Sequence, residues 1–178
     1  GFGVYKYGRE DRHEEPVSDE TATYKHRFHV PRDWKGRHVS IVFEGVMTDA
    51  HVEINGNEAG PVHQGGFYEF QYDISNLLNY GKSNELKVVV QNWSENASVN
   101  RAEREADYWV FGGIYRPVYL KVSPRQHIER LAIDARMGGE FKVDVYLGNS
   151  RDLIRAEARI YNAEGKRIGD PVYAVIEK

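Results

Sequence analysis

An all-β architecture is the fold class this sequence predicts, and three observations carry it. Apolar and polar residues alternate with a period of two in several short runs. An Asn-Gly pair comes directly after one such run, the strongest short-range hairpin signal. No apolar periodicity extends far enough for a helix of more than a couple of turns, and no longer period of the solenoid or propeller kind repeats.

Taken in order, residues 1–22 read as an N-terminal arm. The run Arg9-Glu10-Asp11-Arg12-His13-Glu14-Glu15-Pro16 is charged throughout and ends in a breaker, so a solvated segment is expected. From Thr23 the alternation is strict: Tyr24, His26, Phe28 and Val30 share one side of a strand, and Lys25, Arg27 and His29 share the other until Pro31 closes it. Trp34-Lys35-Gly36-Arg37 predicts a turn, with Trp34 as a lid on the core. Val39, Ile41 and Phe43 then form a second strand up to Gly45.

Ala50, Val52 and Ile54 alternate with His51 and Glu53 and run into Asn55-Gly56, so this strand should pair with the segment just after the turn. Residues 60–66 read as a loop, 67–72 as an aromatic-rich strand, and 73–78 as one short helical turn capped by Asp73 or Ser75. Leu86, Val88 and Val90 alternate with Lys87, Val89 and Gln91, a strand with both faces partly buried. Residues 92–106 are polar and predict an exposed loop that arrives at Asp107. Val118, Leu120 and Val122 complete a domain over 23–124, ended by Pro124.

Residues 125–178 have a different texture. Runs at 128–135, 141–147 and 154–161 predict three more strands, with turns at Gly138-Gly139, Asn149-Ser150 and Gly165. Their spacing suggests an immunoglobulin-like sandwich, but that fold takes about 100 residues, more than remain after Ser123. A partial, truncated unit is therefore expected. The chain begins with Gly1 and no Met, which reads as a processed or trimmed piece of something longer.

Composition excludes several function classes. Charged residues make up 29% and apolar ones 40% of 178, a globular balance. The net charge of −3 and pI near 6.2 give no field for nucleic acid or an anionic membrane. Cysteine is absent, so disulfides, thiol nucleophiles and thiolate metal sites are excluded together, and the compartment is left undetermined. No apolar run approaches the roughly 20 residues of a membrane span.

The chain is organised around Asp107-Tyr108-Trp109-Val110-Phe111-Gly112-Gly113-Ile114-Tyr115-Arg116-Pro117. The glycine pair permits a tight bend that would gather Asp107, Trp109, Tyr115 and Arg116 at one end of a strand. An aromatic face suits the axial C–H groups of a sugar and a carboxylate suits its vicinal hydroxyls. The same residues would equally serve as core around an ordinary bend.

Glycoside hydrolysis needs two carboxyls about 5 to 9 Å apart. Glu103, Glu105 and Asp107 are close in sequence, but such alternation is also what a solvated edge looks like. His26 and His29 fall on opposite sides of their strand, against a shared metal. No nucleophile elbow, phosphate loop or zinc-protease motif is present. No catalytic residue, metal site or cofactor is assigned.

One linked series of motifs points further. Tyr24-x-x-x-Phe28, Trp34-Lys35-Gly36-Arg37, Val42-Phe43-Glu44-Gly45-Val46, Val52-x-Ile54-Asn55-Gly56-x-x-x-Gly60, Gly65-Gly66-Phe67-x-x-Phe70, Asp73-Ile74-Ser75 and Asp107-x-Trp109-x-x-x-Gly113-Ile114-x-Arg116-x-Val118-x-Leu120 occur in this order. Their order and spacing resemble the N-terminal sugar-binding domain of glycoside hydrolase family 2, the family of β-galactosidases and β-glucuronidases.

The resemblance covers roughly residues 24–124. It implies a jelly-roll, galactose-binding-like β-sandwich, then an immunoglobulin-like domain, then a catalytic (β/α)-barrel. The barrel takes about 250 residues and cannot fit here. The resemblance makes Asp107 alone a contact to the terminal sugar's hydroxyls, and residue chemistry adds Trp109 as a candidate substrate-binding aromatic beside it. The resemblance itself makes Trp109 and Gly113 packing and bend residues, and Arg116 the partner in a buried or bridging ion pair with Glu44. A second family contact, an early-loop Asn, would fall near residues 7–9, where Gly8 and Arg9 stand instead.

The expected partners are a glycoside and the downstream catalytic barrel of the same parent chain, with a homo-oligomer in the parent enzyme as a further expectation. The rival readings are a self-sufficient carbohydrate-binding module, which needs an exposed row drawn from Trp93, Tyr108, Trp109 and Tyr115, and a ligand-free scaffold or oligomer-interface sandwich.

Overall fold

The computed structural model describes residues 21–104, 111–148 and 154–176. The chain divides into two compact units, Gly1–Val122 and Ser123–Lys178. In the first unit, β1 (Thr21–Val30) leads through a 3-10 turn at Arg32–Trp34 to β2 (His38–Phe43), β3 (Val46–Met47), β4 (Asp49–Ile54) and β5 (Asn57–Glu58). Then come β6 (Phe70–Asp73), β7 (Lys82–Gln91), the helix α1 (Ala97–Arg104), β8 (Gly113–Ile114) and β9 (Val118–Ser123).

Among the described residues these form three sheets, ordered β1-β7-β4-β5, β6-β2-β9 and β3-β8. The two larger ones enclose a common core, to which β2 supplies Val39, Ile41 and Phe43, β4 supplies Ala50, Val52 and Ile54, and β7 supplies Leu86, Val88 and Val90. These side chains are at most 9% exposed. Each full burial of a Val, Ile or Phe removes enough apolar surface for about 1.5–3 kcal/mol. Trp34, Leu120 and Val122 pack against this core from its margin, so Trp34 is the lid its sequence position predicts. The first unit is a β-sandwich.

The hairpin after β4 forms as its Asn-Gly pair predicts. Asn55 and Gly56 both take positive φ, and Ile54 pairs with Asn57. Asn55 also reaches across the fold: its side-chain amide donates to the Leu77 carbonyl and to Asn84 Oδ1, each at 2.8 Å, and its Oδ1 accepts from the Glu85 amide. The longest partner of β4 is β7, through Asp49↔Gln91 to Ile54↔Leu86.

Of two local expectations one holds and one is corrected. Residues 73–78 form the single capped turn expected: the Leu77 amide donates to the Ile74 carbonyl at 2.9 Å, and Asp73, at the end of β6, accepts from the Ser75 amide. Residues 97–104, expected as exposed loop, form α1. Asn96 caps it by accepting from the Ser98 amide at 3.0 Å. The helix was hidden because its buried residues include the polar Asn100 and Glu103 rather than an apolar stripe.

The second unit holds two antiparallel ladders. β10 (His127–Ala135) pairs with β11 (Phe141–Gly148), and β12 (Ile154–Tyr161) pairs with β13 (Arg167–Ile176), a strand not expected from the sequence. Cation–π contacts cross both ladders, with Arg130 3.8 Å from the Tyr146 ring centre and Arg155 4.0 Å from that of Tyr173. Ile133 and Val172 remain exposed. No helix among the described residues is long and apolar enough to cross a membrane.

Candidate functional site

The site is built where the Gly65-Gly66 loop, the end of α1 and the entry to β8 meet. Glu103, near the last turn of α1, is 9% exposed and turns its carboxylate onto the backbone amide of Gly66. Both oxygens lie 2.9 Å from that nitrogen. The Gly66 carbonyl in turn accepts from the Tyr115 hydroxyl. One residue of the loop is therefore held through its N–H by the helix and through its carbonyl by the segment after β8. A charge-assisted bond of this kind contributes about 1.5–3 kcal/mol.

Tyr115 is fixed by its ring as well as its hydroxyl. It stacks on Phe111 with ring centres 4.6 Å apart and planes 9° from parallel. Burial raises its pKa above the ordinary phenol value; Arg116 works against that rise and Glu103 adds to it. The phenol therefore stays a neutral donor to Gly66. Gly45 makes room for this packing, because a Cβ there would stand 2.9 Å from Arg116 Cδ and 3.0 Å from the Tyr115 ring.

Gly113 pairs with Met47 in the short β3-β8 ladder and is buried with φ +73°. A side chain at that backbone angle is strained, which is why glycine stands there. Next to the loop, His63 stacks on Phe70 at 3.7 Å and bonds through Nε2 to the Gly65 carbonyl. Its burial holds its pKa below the ordinary histidine value, against smaller opposing effects of that bond and of Asp49. These contacts give the loop a rigid floor.

Of the residues singled out from sequence, Asp107 and Trp109 lie outside the described residues, as do Tyr108 and Glu105. Tyr115 comes together with the Gly65-Gly66 loop, whereas Gly113 pairs with Met47. The expected ion pair between Arg116 and Glu44 is not formed. Arg116 is exposed and its guanidinium lies 5.6 Å from the Tyr115 ring centre, while the Glu44 amide donates to the Pro117 carbonyl. With water available to Arg116, a cation–π contact suffices and a buried counter-ion is not required. Glu103 has both carboxylate oxygens on the Gly66 amide. Its role was missed because an acid in a polar run carries no sign of burial. Among the described residues no group of three or more His, Asp or Glu is placed to hold a metal ion.

Comparison with known proteins places this geometry in a family. Residues 9–124 match the family described as glycosyl hydrolases family 2, sugar binding domain. A β-galactosidase of Thermoanaerobacter pseudethanolicus is 39% identical over 106 residues, 60% of this chain and 14% of that protein. A β-glucuronidase of Bacteroides fragilis is 31% identical over 108 residues, 61% of this chain and 15% of that protein. The crystal structure of a Bacteroides uniformis β-glucuronidase superposes with a TM-score of 0.74 over 88% of this chain and 20% of that one. At 22% identity, this last likeness speaks for the fold alone. The chain thus spans about one seventh of the length of these curated relatives. A match across well over half its residues, on a β-sandwich of the corresponding kind, makes this chain a member of glycoside hydrolase family 2 that carries the family's sugar-binding domain.

Proposed function

We propose that the first unit is a non-catalytic carbohydrate-binding domain of an enzyme that hydrolyses O-glycosyl bonds, of β-galactosidase type, and that it helps form the subsite for the terminal sugar. Asp107 is the residue assigned to the sugar's hydroxyls, with Trp109 beside it. The observation that carries this reading is the brace from Glu103 through Gly66 to Tyr115, which fixes both flanks of residues 105–110. A carboxylate that must meet particular hydroxyls gains when the residues before and after it in the chain are held in place, because less ordering is left to be done on binding. Residues 125–178 belong, in this reading, to an immunoglobulin-like domain, and the catalytic glutamates belong to a barrel elsewhere in the parent chain.

The brace also bears on the rival of a self-sufficient module. Tyr115 has one face on Phe111 and its hydroxyl on Gly66, which leaves little of it for a sugar platform. The test is a release assay on nitrophenyl β-galactoside, β-glucuronide and β-mannoside, comparing this 178-residue chain with the full-length product of the same gene. Activity only in the full-length protein is the expected result. Turnover by the chain alone would mean that its own carboxylates catalyse.

A further inference from the structure

The four-stranded sheet has a second face. Along β4 and β7 the even-numbered residues, Ala50, Val52, Val88 and Val90, enter the core, so Asp49, His51, Val89 and Gln91 stand on the opposite side. Asp49 pairs directly with Gln91 and His51 with Val89. The segment at 62–64, which bridges edge-on to β4 through His63 and Ala50, and the residues before α1 border this end of the sheet and leave a recess of about 180 Å³. Val62 and Val89 line part of it, and Gln64 and Glu95 stand at its wall.

Asp49 is only 2% exposed although it is a carboxylate. Its Oδ2 accepts from the Glu95 amide at 2.9 Å and from the Gln64 side-chain amide at 3.0 Å. Its Oδ1 is equally buried and accepts no hydrogen bond. A buried carboxylate oxygen without a donor is costly, so a fold that keeps one calls for an explanation. Gln91, half-buried beside it, leaves its side-chain amide unpaired among the described residues. His51, the next wall, is held between Glu53 at 3.7 Å and Glu58 at 3.3 Å.

The chemistry of the lining selects the occupant. Asp49 and Glu95 require donors, whereas the Gln91 amide offers both a donor and an acceptor. A hydroxyl both donates and accepts, but an ammonium group only donates. Val62 and Val89 add an apolar patch suited to ring C–H groups. The volume lies well below the roughly 300–1,000 Å³ of pockets for larger ligands, which limits the occupant to one ring. We propose that this recess, walled by Asp49, His51, Gln64, Gln91 and Glu95, binds a single pyranose ring of a neutral sugar. The site stands independently of the role assigned to Asp107.

The test is a chemical-shift titration of the 178-residue chain with methyl β-D-galactopyranoside and methyl β-D-glucopyranoside. Saturable shifts confined to residues 49–51, 62–64 and 89–95, with a Kd on the order of 1 mM, are expected for at least one of them. Gln91→Leu, at a half-exposed position, should weaken binding about tenfold or more, and Asp49→Asn should do the same. Absence of saturable shifts for both sugars would overturn the proposal. So would undiminished binding in Gln91→Leu, or tighter binding of methylammonium chloride than of either sugar.

Discussion

The carboxylate of Glu103 closes on the amide of Gly66, 37 residues away in sequence, with both oxygens at 2.9 Å. This contact ties the one helix described in the first unit to the loop between β5 and β6. It stems from burial: a carboxylate that is 9% exposed must be hydrogen-bonded, and a backbone amide in a loop without strand partners needs an acceptor. Replacing Glu103 with Ala removes the acceptor and leaves the Gly66 amide unsatisfied. A loss of about 1–3 kcal/mol is expected by denaturant unfolding, with Glu103→Gln recovering part of it.

Asn84 is expected to be costlier to replace. At 2% exposure it accepts from the Asn79 amide at 2.7 Å and from Asn55 Nδ2 at 2.8 Å, while its own amide donates to the Asn79 and Lys82 carbonyls. Asn84→Ala strands several buried groups at once and should cost about 3 kcal/mol, with a midpoint shift in chemical denaturation and an unchanged slope. Asn84→Asp keeps the acceptor but loses both donated bonds, so it should not rescue stability.

The bend before β9 makes a conformational prediction. Gly113→Ala places a Cβ on a residue at φ +73° in the buried β3-β8 ladder, and should destabilise the first unit by about 1–2 kcal/mol. Gly45→Ala, which meets Tyr115 and Arg116 instead of a forbidden backbone angle, should act on the aromatic packing. The near-ultraviolet circular dichroism of Tyr115 and its neighbours should change in the second variant.

Stability should fall at mildly acidic pH through His63. Burial puts its folded pKa below the unfolded value of about 6.5, so the unfolded chain binds more protons between the two values. The sign is therefore a loss of stability as pH falls through 6.5 toward the folded pKa, with no further change from this residue below it. His63→Phe should flatten that part of the profile in unfolding experiments run across the range. Glu53 acts at lower pH: chiefly through the Lys87 hydrogen bond its pKa is lowered, so its contribution is present above the ordinary carboxylate value and is lost as pH falls through the depressed one.

The strands were legible because period-two alternation and burial have the same cause. Val39, Ile41 and Phe43 read as one face of a strand and lie in the core, and Asn55-Gly56 turns where its φ preference says it should. The linked motifs likewise pointed to the family that residues 9–124 match. What stayed hidden was polar. Glu103, Asn100 and Asp49 are buried by tertiary hydrogen bonding, and no local pattern distinguishes a buried acid from a solvated one. The strand β13 was missed because Gly169 and Pro171 fall inside it, a punctuation that locally predicts a turn.

The role of Asp107 is tested most directly by comparing kcat/KM for wild-type and Asp107→Ala full-length protein. The comparison would use the best nitrophenyl glycoside and its analogues lacking one ring hydroxyl at a time. If Asp107 holds the terminal sugar, the variant should lose about 10²-fold or more on the parent substrate and much less on the analogue that lacks the contacted hydroxyl. An equal loss on every analogue, or no loss on the parent, would contradict it.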